Sequence, residues 1–169
     1  MRYFFIVFIV VSIYCPVLGE GFPQLCFEQT EEVVTEDVEE EVACFDVDLA
    51  TTTLARQKGL MYKKDIPENF GMLFAYPKDK KIIMWMKNTF VSLDIIWLDE
   101  EFKIIDFVEK TKPLSTKLLF PKTVARYVLE VQHGTVRRLD LKLNDQATFS
   151  DLTLLQIEER VSTGSIQSR

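Results

Sequence analysis

The sequence predicts a mainly β domain, of the β-rich α+β kind, in which a compact, barrel-like or strongly curved and mostly antiparallel sheet carries two short helices. Many short segments alternate apolar and polar residues with the period of two that is typical of strands. Turn-forming Gly, Pro, Asn and Asp separate these segments. No helical pattern is long enough for a bundle, and strands and helices do not alternate as they do in a doubly wound sheet. The chain of 169 residues is about the length of one domain.

The first half of the predicted domain contains four strands and one helix. After the first strand, three successive threonines provide hydroxyls that suit a helix N-cap. Gly59 ends the short helix that follows, because glycine readily adopts the left-handed conformation after a helix. Pro77 ends the second strand before a basic loop at residues 78–81, and Asn88-Thr89 bends the chain between the third and fourth strands. The predicted elements are strands 42–50, 71–76, 82–86 and 93–98 and helix 54–58.

The second half continues with three strands and one helix. Asp99-Glu100-Glu101 is the turn of a hairpin, because apolar runs lie on both sides of it. Gly134 precedes a short amphipathic helix, and Asn144-Asp145 forms the last turn. Residues 151–160 fit either a strand or a helix. The predicted elements are strands 102–108, 125–131 and 146–149 and helix 136–141.

The first 19 residues have the pattern of a secretory signal peptide. Arg2 precedes an apolar run at residues 3–14, and Pro16 and a small-residue ending at residues 17–19 follow it. We therefore expect cleavage before Glu20 and an extracytoplasmic protein, either periplasmic or secreted. The apolar run is short for a spanning helix, which needs about 20 residues, and the alternative is an uncleaved segment that anchors the protein to a membrane.

Acidic and basic residues are unevenly distributed along the chain. Residues 20–55 contain eleven Asp and Glu and no Lys or Arg, while residues 56–169 contain nineteen basic and fifteen acidic residues. A segment of like charges repels itself, so we interpret residues 20–41 as an acidic leader or tether, with an arm lying on the basic body as the alternative. Residues 42–150 are then the domain body, and residues 151–169 a C-terminal tail. Nucleic-acid binding is disfavoured because no basic stripe with interleaved aromatic residues is present.

Two cysteines, Cys26 and Cys44, would remain after cleavage. An exported protein meets an oxidising compartment, in which disulfides persist. In the first predicted strand Phe45 and Val47 share one face, so the thiol of Cys44 is expected on the other. The spacing does not decide between a disulfide and two free thiols.

Several short blocks occur together in a definite order. They are Arg56-x-x-Gly59-Leu60-Met61, Gly71-Met72-Leu73-Phe74, Trp85-Met86-Lys87-Asn88-Thr89, Leu93-Asp94-Ile95-Ile96, and Ala125-Arg126-Tyr127-Val128-Leu129-Glu130-Val131 with Gly134. Through these blocks residues 42–150 closely resemble the uncharacterised family named domain of unknown function 192. The resemblance implies a compact, mainly β domain, usually exported or membrane-associated in prokaryotes, and it implies no activity. Pro121-Lys122-Thr123 replaces a Ser-Gly-rich step of that family, which disfavours a ligand held there by backbone amides.

The candidate site consists of polar residues close to these blocks. Asp94 and Glu130 lie within apolar strands, where a charge is costly unless it is paired or hydrogen-bonded. Lys87 and Arg126 are the expected ionic partners, and the bend at Asn88 supplies further donors to Asp94. One interpretation is a structural network that fixes strand register, and the other is a small anionic or polyhydroxylated ligand held by Lys87, Asn88 and Arg126. The full candidate set is Arg56, Lys87, Asn88, Thr89, Asp94, Arg126 and Glu130.

The sequence specifies no activity, and it favours a small exported binding or accessory module of the cell envelope. Its partner would be an unknown small ligand or an envelope protein, with a membrane as partner only if the N-terminal segment is retained. The alternative is a hydrolase or transferase that uses Asp94 or Glu130. An enzyme is less favoured, because the chain has no nucleophile motif, no phosphate-binding glycine loop and a single histidine, His133. No cofactor is predicted.

A copper site is a further alternative of lower weight. Met84 and Met86 share a strand face, and thioethers bind Cu(I) in exported proteins. Methionine is also a common core filler, so no metal is predicted. Trp85 points opposite to both methionines, and periodicity does not decide which side is exposed.

Overall fold

The computed structural model describes residues 23–28, 42–149 and 154–163, and the predicted mainly β class is confirmed. The strands are β1 (Gln24–Glu28), β2 (Val42–Ala50), β3 (Phe70–Lys80), β4 (Leu93–Leu98), β5 (Ile104–Val108), β6 (Ala125–Gln132) and β7 (Ala147–Phe149). The helices are α1 (Thr53–Lys58), α2 (Thr135–Arg138) and α3 (Leu154–Thr163). The predicted N-cap is present at Thr52, whose side chain accepts a hydrogen bond from the Ala55 amide at 3.1 Å.

All seven strands form one strongly curved sheet in the order β5-β4-β6-β3-β2-β1-β7. Every pairing is antiparallel except that of β2 with β3, which α1 connects. The two edges of the sheet meet, because the Ile104 amide donates to the Asp145 carbonyl at 2.9 Å and the Ala147 amide donates to the Phe102 carbonyl at 3.1 Å. The curvature therefore brings the fold close to a closed barrel.

The sheet separates two apolar cores. The inner core draws residues from all seven strands and lies within the curve, with Phe45, Ile96 and Leu129 among its buried members. The outer core lies on the other face and includes Phe74 and Ile95. There the segments 60–66 and 82–91 cover β3, β4 and β6. Successive strand residues alternate between these two environments, so the face on which a polar residue lies determines its surroundings.

The segment 82–86 is not a regular strand, contrary to the prediction. It makes a single bridge, between Met84 and Leu119. The alternation of buried and exposed side chains continues through it, because the segment lies flat over the outer core. β3 also continues beyond Pro77 to Lys80, which was predicted to be part of a loop. The proline is tolerated because the register of β3 with β6 is irregular between Ala75 and Lys80, so its missing N–H breaks no regular ladder bond.

Residues 24–28 of the predicted acidic tether are a strand of the sheet. β1 pairs with β2 and β7, and its Leu25 and Phe27 side chains are buried in the inner core. Two apolar residues on one face are enough for this burial, and the surrounding acidic composition concealed them. Residues 29–41 and the predicted signal peptide lie outside the described residues. The predicted tail contains α3, whose Ile157 is buried in the inner core.

Cys26 and Cys44 form a disulfide between directly opposed residues of β1 and β2, with their Cα atoms 4.0 Å apart. With a separation of 18 residues, the loop-entropy model gives the bond a stabilisation of about 3 kcal/mol. The disulfide thus ties the N-terminal strand to the body. Within the described residues, no helix combines the length and the apolar character needed to cross a membrane.

Candidate functional site

The two buried carboxyl groups of the candidate site lie on opposite faces of the sheet. In the pairing of β4 with β6, Asp94 is opposite Val131 and Ile95 is opposite Glu130. Directly opposed residues share a face, so Asp94 points towards the inner core with Val131, and Glu130 points towards the outer core with Ile95. The two carboxyl groups do not converge, and the pair required by a hydrolase or transferase that uses both is not formed.

Asp94 is fully buried and is held by backbone amides. Its carboxylate accepts hydrogen bonds from the Lys110 amide at 2.8 Å and from the Val136 amide at 3.0 Å. The predicted donors at Lys87–Thr89 do not reach it, because that segment covers the opposite face of the sheet. Asp94 joins the end of β5 to the first turn of α2, whose amides have no partner within the helix. We interpret this as a structural role.

Glu130 is the opposite case. Only 4% of the residue is exposed, and its carboxyl group makes no hydrogen bond or ion pair with any residue of the described chain. Burial alone raises the pKa of the Glu130 carboxyl from 4.5 to about 8. The group is therefore protonated at neutral pH, when it can both donate and accept a hydrogen bond.

Glu130 lies at the base of a small cleft of about 50 Å³. The cleft lies between β3, β6, α1 with the turn that follows it, and the segment 83–89. Its lining includes Arg56, Gly59, Met61, Phe74, Tyr76, Ile83, Trp85, Thr89 and Glu130.

The absence of a side chain at Gly59 leaves space over the carboxyl group. A Cβ atom at this position would lie 3.0 Å from Cζ of Phe74 and 3.7 Å from Oε2 of Glu130. The residue also has a backbone φ of +47°, which residues with a side chain rarely adopt. The glycine of the Gly59-Leu60-Met61 block therefore has both a conformational role and a role in keeping the cleft open.

Arg56 forms one wall of the cleft and is held rigidly. Its guanidinium donates to the carbonyl of Thr51 and, at 2.9 Å, to the carbonyl of Ala75, and it lies 4.7 Å from the centre of the Tyr76 ring. Burial raises the pKa of the Tyr76 hydroxyl, an effect that Arg56 opposes and Glu130 adds to. Arg56 thus joins α1 to β3 and to the residue that follows β2, and it lines the same cleft as Glu130.

The residues Lys87, Asn88 and Thr89 lie near the cleft and do not bind Asp94. Lys87 places its Nζ 5.2 Å from the centre of the Trp85 ring. The Asn88 amide group donates to the Tyr62 hydroxyl at 3.0 Å, and Thr89 is buried in the cleft wall. Of these three residues, Thr89 alone lines the space above Glu130.

Arg126 lies away from both carboxyl groups. Its guanidinium pairs with Asp79 at 2.6 Å and with Glu100 at 3.1 Å. It borders a separate cleft of about 270 Å³ between the end of β3 and α3, lined also by Tyr127 and Ile157. The expected partnership of Arg126 with Asp94 or Glu130 is therefore wrong, because both buried carboxyl groups lie nearer the other end of their strands.

The methionine pair belongs to the outer core. Met84 and Met86 are buried, while 42% of Trp85 is exposed at the mouth of the cleft. Periodicity left open which side of this segment is exposed. The structure shows that Trp85 is exposed and that the two methionines are buried. In the described part of the chain, no group of three or more His, Cys, Asp or Glu residues could hold a metal ion.

The structure brings three predicted residues to one cleft, namely Arg56, Thr89 and Glu130, and separates Asp94 and Arg126 from it. Prediction missed the roles of Gly59 and Tyr76. Gly59 was recognisable as part of a sequence block, although only as a helix stop. Nothing in the sequence around Tyr76 indicated a site.

A model of the family described as "Uncharacterized ACR", the domain of unknown function 192 that the sequence blocks resemble, matches residues 34–149. The UPF0127 proteins of Thermococcus kodakarensis and Thermococcus gammatolerans are 32% and 31% identical to this chain over 106 and 101 residues. These matches cover 62% and 59% of this chain, and 64% and 63% of the relatives. The chain therefore matches less than two thirds of the length of these relatives.

Two crystal structures have a similar fold. A protein from Sinorhizobium meliloti 1021, provisionally described as a transcription regulator, superposes with a TM-score of 0.68 at 27% identity and covers 77% of this chain and 95% of its own. A protein of unknown function from Novosphingobium aromaticivorans DSM 12444 has a TM-score of 0.65 at 24% identity and covers 75% of this chain and 83% of its own. The second similarity shows the fold alone.

Proposed function

We propose, from the premise that the chain belongs to the domain of unknown function 192 family, that it is a small exported binding module of the cell envelope. Its site is the cleft over Glu130, and its ligand is polyhydroxylated, with one neutral hydroxyl group inserted beside the carboxyl group. The observation that carries the proposal is the carboxyl group of a residue that is only 4% exposed, which has no hydrogen-bond or ion-pair partner among the described residues and lies at the base of an open cleft.

A neutral hydroxyl group matches this carboxyl group in both size and hydrogen bonding. The cleft of about 50 Å³ has room for a water-sized group, which needs about 10–15 Å³ of such space, and is too small for a whole metabolite. A protonated carboxyl group donates one hydrogen bond and accepts others, and a hydroxyl group does the same. A ligand that inserts one hydroxyl group and lies across the mouth satisfies these constraints.

Trp85 provides the surface on which the rest of the ligand would lie. Its ring is partly exposed at the mouth, and Lys87 is placed over it. A flat aromatic surface packs against the apolar C–H face of a sugar ring while the hydroxyl groups point towards polar neighbours. Arg56 lines the same cleft and presents N–H donors.

Two features support export. The N-terminal residues have the pattern of a signal peptide, and Cys26 is joined to Cys44 by a disulfide, a bond that is rare in reducing compartments. Mass spectrometry of the protein isolated from its native cells should find an N terminus at or near Glu20. An intact Met1 on most molecules would favour the anchored form instead.

Binding is tested with the soluble trisaccharides of glucose and of N-acetylglucosamine as probes, by calorimetry and by tryptophan fluorescence. We expect saccharide binding to weaken as the pH rises through about 8, because Glu130 then loses its proton. Glu130→Gln, which stays neutral and keeps a donor and an acceptor, should bind with little pH dependence. Trp85→Ala should weaken binding at every pH.

The outcomes separate the alternatives. Binding of inorganic phosphate or succinate in place of both saccharides would assign an anionic ligand to the cleft. Saccharide binding unchanged by Glu130→Ala would place the site elsewhere. Failure of every probe with a protein that unfolds cooperatively would reject this ligand class.

A further inference from the structure

A second surface feature adjoins the cleft. The segments around Met84 and Leu119 run antiparallel, and their amides and carbonyls exchange two hydrogen bonds of 3.0 and 2.9 Å. In this register Met84 and Leu119 pack inward, so the flanking side chains point outward from both segments. These are Ile83, Trp85, Leu118 and Phe120, which we call the apolar face.

The apolar face is exposed to an unusual degree for large hydrophobic side chains. The exposed fractions are 48% for Ile83, 42% for Trp85, 45% for Leu118 and 56% for Phe120. Isolated exposed hydrophobic residues are common, but contiguous apolar patches usually mark a docking surface.

The segments that carry the apolar face are strongly basic. Residues 78–90 and 110–124 contain eight lysines, no arginine and one acidic residue, Asp79, which pairs with Arg126. All eight lysines are exposed, and Lys87 lies over the Trp85 ring. The whole chain has a net charge of −6, so this surface differs in sign from the molecule as a whole.

We propose that the apolar face and the exposed lysines of its two segments dock the protein on an anionic lipid surface. Aromatic and aliphatic side chains enter the boundary between headgroups and acyl chains, while lysines reach anionic headgroups and keep their charge in water. The acidic character of the rest of the chain then orients the molecule, with the apolar face towards the lipid. The two signals together, apolar burial and lysine charge, are what stable but reversible attachment requires.

Charge and composition favour a lipid surface over other occupants. In a symmetric dimer through this face, the lysines of one copy would meet those of the other, and like charges in contact are unfavourable. Protein interfaces are enriched in arginine and depleted in lysine, whereas every cation in these two segments is a lysine. Neither objection applies to an anionic lipid surface.

The test uses vesicles of phosphatidylcholine alone and with about one third phosphatidylglycerol, and the protein and its variants with identical N termini. The parent should sediment with the anionic vesicles and not with the neutral ones, and binding should weaken as salt is added. Trp97 is buried, so a blue shift of tryptophan fluorescence on binding would report entry of Trp85 into the lipid.

The variants separate the two contributions. Lys81→Gln and Lys117→Gln should each weaken binding roughly fivefold, and Leu118→Ser with Phe120→Ser should weaken it roughly tenfold or more. The matched control, Leu143→Ser with Lys142→Gln, changes a leucine that is 47% exposed and a lysine outside these segments, and should leave binding unchanged.

Several results would overturn the proposal. These are equal binding to both vesicle types, equal loss in the control pair, a dimer in solution that Phe120→Ser dissociates, or binding to polyglutamate without binding to vesicles, which would indicate an acidic protein partner. Glu130→Gln should leave vesicle binding unchanged. Failure of the lipid proposal is therefore distinguishable from failure of the proposed function of the cleft.

Discussion

Asp94 and Glu130 lie on adjacent strands, one residue apart in register, and both are buried. They differ in the face of the sheet that they occupy and in their hydrogen bonds. Asp94 faces the inner core and accepts two backbone hydrogen bonds, from Lys110 and Val136. Glu130 faces the outer core, has no partner among the described residues and borders a cleft. A buried carboxyl group is thus not evidence of a site by itself. The distinguishing observation is a carboxyl group that opens onto a cleft and whose hydrogen-bonding capacity the described residues leave unused.

The largest expected effect concerns Glu130, the carboxyl group without a hydrogen-bond partner among the described residues. Between pH 4.5 and about 8 the folded protein keeps a proton on Glu130 that the unfolded chain has released. The stability that this proton supplies is complete below pH 4.5 and is lost as the pH rises through about 8, at about 1.36 kcal/mol per pH unit. Glu130→Gln removes this dependence, so at pH 9 the variant should be more stable than the parent by roughly 3 to 5 kcal/mol.

Urea unfolding of both proteins from pH 4 to 9 measures this effect, because contributions from other groups cancel in the difference between the two curves. Parallel curves would mean that Glu130 ionises freely in the folded state. The contrast with Asp94 would then disappear.

The hydrogen bonds of Asp94 are tested by the substitution Asp94→Ala. It leaves one buried and one partly buried backbone amide without an acceptor and should cost about 2 to 4 kcal/mol at neutral pH. Asp94→Asn keeps one acceptor oxygen and should cost less. An unfolding midpoint unchanged in both variants would contradict a structural role and return Asp94 to the list of site residues.

The space over Glu130 is tested by Gly59→Ala, with Gly134→Ala as its matched control. Both glycines have positive φ, of +47° and +90°, so both substitutions strain the backbone, by about 1 to 3 kcal/mol. Only the new Cβ at Gly59 meets neighbours within 4 Å, so only Gly59→Ala should also reduce saccharide binding in the cleft. Equal binding by the two variants would show that the cleft does not need the opening at Gly59.

The smallest effect is expected at Arg126, the partner predicted for the buried carboxyl groups. Its two ion pairs involve carboxylates that are 43% and 64% exposed, so Arg126→Gln should cost less than about 1 kcal/mol. The slope of stability against pH should match that of the parent. A change in that slope would indicate that Arg126 acts on Glu130 after all.

The sequence by itself determined the fold class and those elements whose pattern is local. β2 and β4 were predicted with the bounds that the structure has, because an alternating or continuous apolar run between turn residues is sufficient to define a strand. The N-cap at Thr52 is equally local. The residue types of the cleft were also apparent, since Glu130 is a carboxyl group within an apolar strand.

Only the tertiary structure decided which residues meet. Periodicity states that neighbouring side chains alternate, but not which face another segment covers, so it left open the exposure of Trp85 and the separation of Asp94 from Glu130. Both depend on the register of β4 with β6 and on the chain that crosses the outer core. Strand β1 likewise depends on contacts between distant parts of the chain. Leu25 and Phe27 pack in the inner core, and Cys26 forms a disulfide with Cys44.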